Sequence, residues 1–331
     1  MTKQVEFYIG LDVHVDSTQY AVRTAQGDVI QEGCSSTKYS DVKDRLEPYY
    51  HSCVVGMETC TAFYPLRKGF LKDKVDIRVA NLHRIRQLVA KTDSLDAKRL
   101  SDMLRLGSFP ESFIPDEKIQ ELRDLVQTRH RIMEESVKIK CRLWAAATKQ
   151  GIRRPTKGLF TQKSLVVLEA YVKSDKSTLQ IRTLFNHYNL ISRLLQNTTA
   201  QVTEYAQQNF KDEWNRIQRV RGIGTVITPY IIAEICPVSR FSDKKKLRMY
   251  AGVVPCIKQS GGKSFSSGML PKFTSRRLLR WALIQAAHHA VKIKGCSLNL
   301  YFKSRKKTKQ KAIMCVARCI SDKVYYALSA N

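Results

Sequence analysis

The first hundred residues alternate short apolar runs with amphipathic ones. VEFYIGLDV is apolar and β-rich, QYAVRTA alternates, and a Gly27–Asp28 turn leads into DVIQEG, so residues 5–33 predict strands joined by turns. A helix is expected around Asp41–Tyr50, then a short buried strand in CVVGME, a helix from about Phe63 to Leu71 and a strand in VDIRVAN. An Asp- and Leu-rich helix over about Ser94–Leu106 completes a strand–helix alternation that indicates an α/β layered domain.

After Gly107–Pro115, a linker by composition, the period changes to that of helices. Asp116 can cap a helix running to about Lys149, with Ile119, Leu122, Val126, Met133, Val137 and Trp144 at three- and four-residue steps. Thirty-odd residues of that pattern predict a coiled-coil-like spacer. Gly151–Gly158 turns the chain, and a second helical region is expected from about Leu165 to Asn209, carrying Leu184, Tyr188, Ile191 and Leu195. From about Asp212 the pattern is helix, loop and helix, ending in the basic run Lys303–Lys311 and an apolar C-terminal helix. No internal repeat of fixed period is visible.

Composition excludes several classes. No apolar run reaches the length of a membrane span, and the strand pattern begins at once, so a cytoplasmic protein without a signal peptide is expected. The nine cysteines contain no C-x-x-C pair, which excludes the usual zinc spacing, and most are expected to be small buried apolar residues. Charge says more. Residues 1–115 hold 16 Lys+Arg and 15 Asp+Glu, a net of +1, whereas the rest carries +27 of the total +28. A nearly neutral domain followed by a strongly basic part calls for a polyanionic partner, because phosphate contacts release condensed counterions.

The neutral part holds four acids able to converge. Asp12 ends a strand in IGLDVH, Glu58 ends another in VVGMET, and Asp93 and Asp96 in KTDSLDAKRL fall on one helix face. Clustered carboxylates repel unless a hard divalent cation neutralises them, and paired Mg²⁺ ions suit in-line phosphoryl transfer. Taken singly, each acid reads more simply as a cap or turn residue; the combination with the basic part is what points to a ligand set. His14, two residues on from Asp12, is more simply structural.

In the basic part, RGIGTVITPYIIAEI resembles a helix-hairpin-helix turn whose Gly222 and Gly224 permit close backbone approach to phosphate. The stretch YAGVVPCIKQSGGKSFSSGML reads as a Gly/Ser-rich loop with Ser260, Ser264, Ser266 and Ser267 as candidate nucleophiles and Lys263 beside them. Chemistry alone does not choose among the four serines. Arg276, Arg277 and Arg280 open the next helix, where they oppose the macrodipole but suit docking on phosphates.

Together these segments, from Tyr8 to Ala327, resemble the DEDD transposases of the IS110 insertion-sequence family, including its IS1111 branch, and the related Piv-type DNA invertases. GLDVH, GMETCTAFYPL and KTDSLDAKRL carry the acids, and RGIGTVITPYIIAEI, FSDKKKLRMYAGVVPCIKQSGGK and RRLLRWALIQAA follow in order. The resemblance implies a RuvC-like, RNase H-type domain over residues 1–110. A helical coiled-coil spacer over 111–210 and a mainly helical C-terminal transposase domain over 211–331 follow. It implies Asp12, Glu58, Asp93 and Asp96 as catalytic ligands of Mg²⁺ or Mn²⁺. It implies Ser260 as the nucleophile that forms a covalent phosphoserine with DNA, in a site shared between protomers of a dimer or tetramer. Partners would be donor and target DNA and a structured noncoding guide, or bridge, RNA. Two departures stand out: Asn81-Leu82 replaces Asn-Pro after the third strand, and the basic run near Lys303 replaces a shorter Gly-containing turn. A metal-dependent junction nuclease, or a non-enzymatic nucleic-acid binder, are the competing readings.

Overall fold

The computed structural model describes residues 5–58, 60, 62–81, 93–153, 161–174, 177–260, 263–269, 276–305 and 308–330; for 93–95, 162, 256–260 and 263–269 it describes the backbone. The chain divides into two compact units, Met1–Ile114 and Pro115–Asn331. Their charges are +1 and +27.

The first unit is built on a five-stranded sheet. Its strands are β1 (Phe7–Val13), β2 (Ser17–Thr24), β3 (Val29–Ser36), β4 (Cys53–Glu58) and β5 (Asp76–Ala80), in the order β3-β2-β1-β4-β5. β1 and β2 are antiparallel, as are β2 and β3, whereas β4 runs parallel to β1 and β5 parallel to β4. The parallel steps need crossovers, which α2 (Phe63–Lys72) and the segment with α1 (Tyr39–Leu46) supply. One sheet face, with Ile9, Leu11, Val55 and Met57, packs on Val42 and Leu46 of α1 and on Phe63, Leu66 and Phe70 of α2. The other face, with Val54, Ala80 and partly buried Tyr8, is covered by Leu100 and Leu104 of α3 (Asp93–Arg105) and by Phe109. The central strands are buried on both faces, which is why their sequence reads as runs rather than strict alternation.

The second unit begins with α4 (Glu117–Lys149), capped by Asp116, whose carboxylate accepts the Ile119 amide hydrogen at 2.8 Å. The expected second helical region is two helices, α5 (Gln162–Val172) and α6 (Leu179–Asn209), each with its own Thr cap, Thr161 and Thr178. A lone apolar stripe does not show such a break; the two cap threonines do. The predicted stripe of α4 also drifts. Val137 is 47% exposed, and the buried face continues through Arg129, His130, Ile132, Ser136, Ile139 and Leu143. Arg129 can enter it because Thr199 and Tyr230 accept from its guanidinium, each at 2.9 Å.

α7 (Lys211–Gln218), α8 (Thr228–Ile235), α9 (Lys244–Tyr250), α10 (Arg277–Ala290), α11 (Ser297–Ser304) and α12 (Lys309–Ser329) complete this unit. Their core centres on α8, every residue of which is buried, with α4 and α10 packed against it and α12 packed on α10. The expected Gly/Ser loop is instead a two-stranded hairpin, β6 (Pro255–Ser260) with β7 (Lys263–Met269). Gly261-Gly262 between two such runs is a hairpin signal that the serine-rich composition masked. The basic run Lys303–Lys311 spans the end of α11 and the start of α12. Cys53, Cys236 and Cys315 are buried, but Cys34 on the edge strand β3 and Cys141 on the outer side of α4 are exposed, against expectation. Among the described residues no helix is long and apolar enough to cross a membrane.

Candidate active site and its two parts

The register of β1 on β4 positions the first two acids. Leu11 pairs with Met57, so the next positions in line are Asp12 and Glu58, on parallel strands about 4.8 Å apart. Residues two apart on a strand share a face, so Asp12 follows Tyr8 and Gly10, and Glu58 follows Val54 and Gly56. That face is the one α3 covers. A Cβ built at Gly10 would lie 2.0 Å from the Ala97 carbonyl oxygen, and one at Gly56 would lie 2.7 Å from the Leu104 side chain.

The direction of α3 then decides which end the remaining acids reach. Arg23, level with Tyr8 across the β1–β2 ladder, lies 3.8 Å from Asp102, and Arg105 packs over the Gly27 turn beyond it. The helix therefore runs antiparallel to β1. Its C-terminal half sits at the start of that strand, Ala97 sits over Gly10, and its first turn, with Asp93 and Asp96, sits at the end that bears Asp12 and Glu58.

Asp12 is only 7% exposed, and its Oδ2 lies 3.2 Å from His14 Nε2. A buried carboxylate has to be compensated by a cation or by donors. His14 shares its sheet face by the same two-residue spacing, a parity that could have raised its standing from the sequence alone. Asp96 Oδ1 is 3.4 Å from Arg99 Nη1. Asp93 is described by its backbone as the first residue of α3. Among the described residues no three His, Cys, Asp or Glu side chains come close enough together to hold an ion. The backbone brings the acids to one sheet end, but the described side chains of Asp12, Glu58 and Asp96 do not close on one point; carboxylate oxygens are the donors a hard divalent cation prefers.

The second unit carries the serine. Ser260 is the last residue of β6 and pairs with Lys263, the first of β7. Ser264 and Ser266 pair with Gln259 and Ile257 further down the ladder. Gly261, Gly262 and the side chains of Ser260 and Lys263 lie outside the described residues.

The base of the serine-bearing segment is clasped by Arg276 against Tyr250 and Glu234, neither of which was singled out from sequence. The Arg276 amide donates to the Tyr250 carbonyl at 3.0 Å and its Nε to the Tyr250 hydroxyl at 2.8 Å. Both face Glu234 of α8, which is 3% exposed: Arg276 Nε is 3.7 Å from its Oε2 and the Tyr250 hydroxyl donates to the same oxygen at 3.5 Å. The neighbouring carbonyl of Ala233 accepts from Arg123 Nε at 2.7 Å, and burial pulls the Arg123 guanidinium below its ordinary pKa. Arg276 therefore closes the segment's ends upon each other, Arg277 is paired with Glu134, and Arg280 also has a partner. Gly222, with φ +99°, is buried against α10, where a Cβ would meet Ala290 at 2.6 Å, whereas nothing lies within 4 Å of a Cβ at Gly224. Of the two glycines, Gly224 is the one on the surface. The Asn81-Leu82 departure lies at the edge of the described residues: the Asn81 amide donates to the Pro110 carbonyl at 2.7 Å, and Leu82 lies outside them.

Residues 9–149, with all four acids, match the transposase family model of the DEDD IS110 type, and residues 214–302, with the serine hairpin, match the Transposase IS116/IS110/IS902 family. The chain belongs to the IS110 family of DEDD transposases. It is also 23% identical over 203 residues to the y4qE protein of Sinorhizobium fredii, named as a candidate transposase; the match covers 60% of this chain and 47% of that one. The chain thus spans about half the length of this curated relative. In this family member, α12 with its basic approach lies beyond the matched stretches.

Proposed function

We propose that this IS110-family chain is the transposase of an insertion sequence, cutting and rejoining DNA through a phosphoserine on Ser260. The observation that carries the reading is the β1–β4 register, which sets buried Asp12 beside Glu58 under the first turn of α3. The strand order β3-β2-β1-β4-β5, antiparallel on one side of β1 and parallel on the other, supports an RNase H-like, RuvC-like assignment of the first unit. The paired long helices α4 and α6 support a coiled-coil spacer.

In this reading the Ser260 hydroxyl oxygen attacks a backbone phosphorus. An Oγ–P bond forms, the P–O bond to one strand end breaks, and the departing oxygen takes up a proton. Attack by the hydroxyl of another strand end on the same phosphorus releases the serine and restores the phosphodiester. Lys263 pairs with Ser260 in the ladder, and in this reading its charge would favour the serine oxygen and the phosphate. Asp12, Glu58, Asp93 and Asp96 would hold Mg²⁺ or Mn²⁺. When bound, such an ion supplies charge neutralisation at the reacting phosphate. His14 orients the Asp12 carboxylate. The +27 charge of the part after residue 115 supports a large polyanionic load, donor and target DNA together with a structured guide RNA, handled by two or four copies of the chain.

The test uses radiolabelled element-end DNA with candidate flanking RNA, resolved on denaturing protein gels. Wild type forms a covalent adduct, Ser260→Ala forms none, and Asp12→Asn lowers it by at least about a hundredfold, the scale of a lost electrostatic contribution. Adduct formation by Ser260→Ala as readily as by wild type would overturn the serine assignment. Cleavage that survives Ser260→Ala but not Asp12→Asn would favour a metal-dependent junction nuclease.

A further inference from the structure

Several arginines of the second unit are held by partners within it, and others, such as Arg131 and Arg193, face solvent singly. Arg129 is held by the Tyr230 hydroxyl, Arg240 by the Ile235 carbonyl, Arg248 by Asp322 and Arg277 by Glu134. Arg219 and Arg221 are not so held, and neither are Lys294 and Lys323; among the described residues none of these four has an ion-pair or hydrogen-bond partner for its side chain. All four are exposed, and all four line one cleft.

Three elements build that cleft. The turn from α7 to α8 contributes Arg219 and Arg221, the turn from α10 to α11 contributes Lys294, and α12 contributes Lys323. Its volume is ≈ 770 Å³, and its floor includes Val220, 6% exposed, and Leu298, 3% exposed. Among the described residues no carboxylate lines it. The turn at Gly295, with φ +76°, leaves nothing within 4 Å of where a Cβ would stand, so the mouth is open on that side.

Four like charges around a concavity with an apolar floor focus a positive potential into it, because field lines crowd through the solvent rather than the protein. Repulsion among the cations weakens the fold slightly wherever no anion is present, so their convergence is explained by a ligand that supplies several negative charges in a row. A carboxylate metabolite brings one or two. A phosphodiester chain brings one per nucleotide, spaced so that cations on separate elements engage successive phosphates.

We propose that this cleft binds the sugar–phosphate backbone of a nucleic-acid strand, through Arg219, Arg221, Lys294 and Lys323. The cleft adjoins the glycine turn, since Arg221 directly precedes Gly222, but it shares no residue with the serine hairpin. It rests on the proposed role of the chain in handling nucleic acid, but its test involves no strand chemistry. The backbone could belong to DNA or to RNA, and both are assayed.

The full chain is titrated against a fluorescent 30-base-pair DNA duplex and, separately, a fluorescent RNA stem-loop, over a series of salt concentrations. R221Q/K294Q is compared with wild type and with K163Q/K173Q, which removes two positive charges from α5 and its C-cap. The expected result is a log affinity–log salt slope smaller by about 1.8 for R221Q/K294Q on DNA, or about 1.4 on a single strand, in at least one arm. The arm that responds identifies the source of the backbone. K163Q/K173Q should leave the slope unchanged, and the charge-retaining R221K/K294R should bind as wild type does. Equal slopes for cleft and control variants in both arms overturn the assignment. So does a loss with R221K/K294R as large as with the glutamines, which would indicate a structural role. A failed slope here leaves the Ser260 adduct standing, and a missing adduct leaves the slope standing, so the two readings fail separately.

Discussion

His130 shows how one buried residue couples this fold to pH. It lies on α4, 6% exposed, edge-on to Trp281 at 4.8 Å and to Tyr230 at 6.0 Å, with its Nδ1 unpartnered among the described residues. Burial lowers its pKa below the ordinary 6.5; Glu134, 3.6 Å from Nε2, opposes that shift, and Arg277 and Arg129 add to it. The folded state therefore holds His130 neutral to a lower pH than the unfolded chain does. Stability contributed by the neutral imidazole is present above about pH 6.5 and is lost as pH falls from there through the folded-state pKa. Denaturant melts of wild type and His130→Gln between pH 7.5 and 5 test this. The wild type should lose stability faster on acidification, and parallel curves would remove His130 as the cause.

At the scale of elements, the seat of α3 on β1 is set by the lack of a side chain at Gly10. A methyl group there would stand 2.0 Å from the Ala97 carbonyl oxygen and 2.6 Å from the Ser101 amide nitrogen, both backbone atoms that cannot rotate away. Gly10→Ala must displace the helix whose first turn brings Asp93 and Asp96 to the acidic sheet end. Overpacking of this sort costs about 1–3 kcal/mol or more. Chemical denaturation should show that loss, and adduct formation should fall further than the unfolded fraction explains. A Gly10→Ala protein as stable and active as wild type would mean that α3 is free to slide. Elements also show where sequence patterns mislead: the α5–α6 break and the β6–β7 hairpin were both signalled by their punctuation, Thr161, Thr178 and Gly261-Gly262, rather than by their apolar residues.

Across the whole molecule, charge is partitioned by unit. The unit with the acids carries +1 and the unit with the serine +27, so the excess positive charge falls almost wholly on the second unit. Affinity for nucleic acid should therefore depend steeply on salt. If the full chain engages 6–10 phosphates, raising salt from 50 to 200 mM should weaken binding by roughly 10³–10⁵-fold. Fluorescence anisotropy with a mixed-sequence duplex measures this, and a change below about tenfold would mean that most of the positive surface is merely solvated.

The sequence by itself determined the strand–helix alternation of the first unit, the cap at Asp116, the charge split and the strand-end positions of Asp12 and Glu58, because these follow from local periodicity and residue chemistry. The family resemblance, legible in the same motifs, singled out Ser260 among four serines. Tertiary structure decided what depends on register and direction: that Asp12 stands next in line to Glu58, that α3 runs back along β1 to bring its first turn to them, and that Arg276 clasps Tyr250 and buried Glu234. It also decided which arginines are consumed inside the fold and which four cations, drawn from positions about a hundred residues apart, meet around one cleft. Periodicity identifies the face a residue takes; only packing identifies what that face meets, since contacts between distant segments leave no spacing to read.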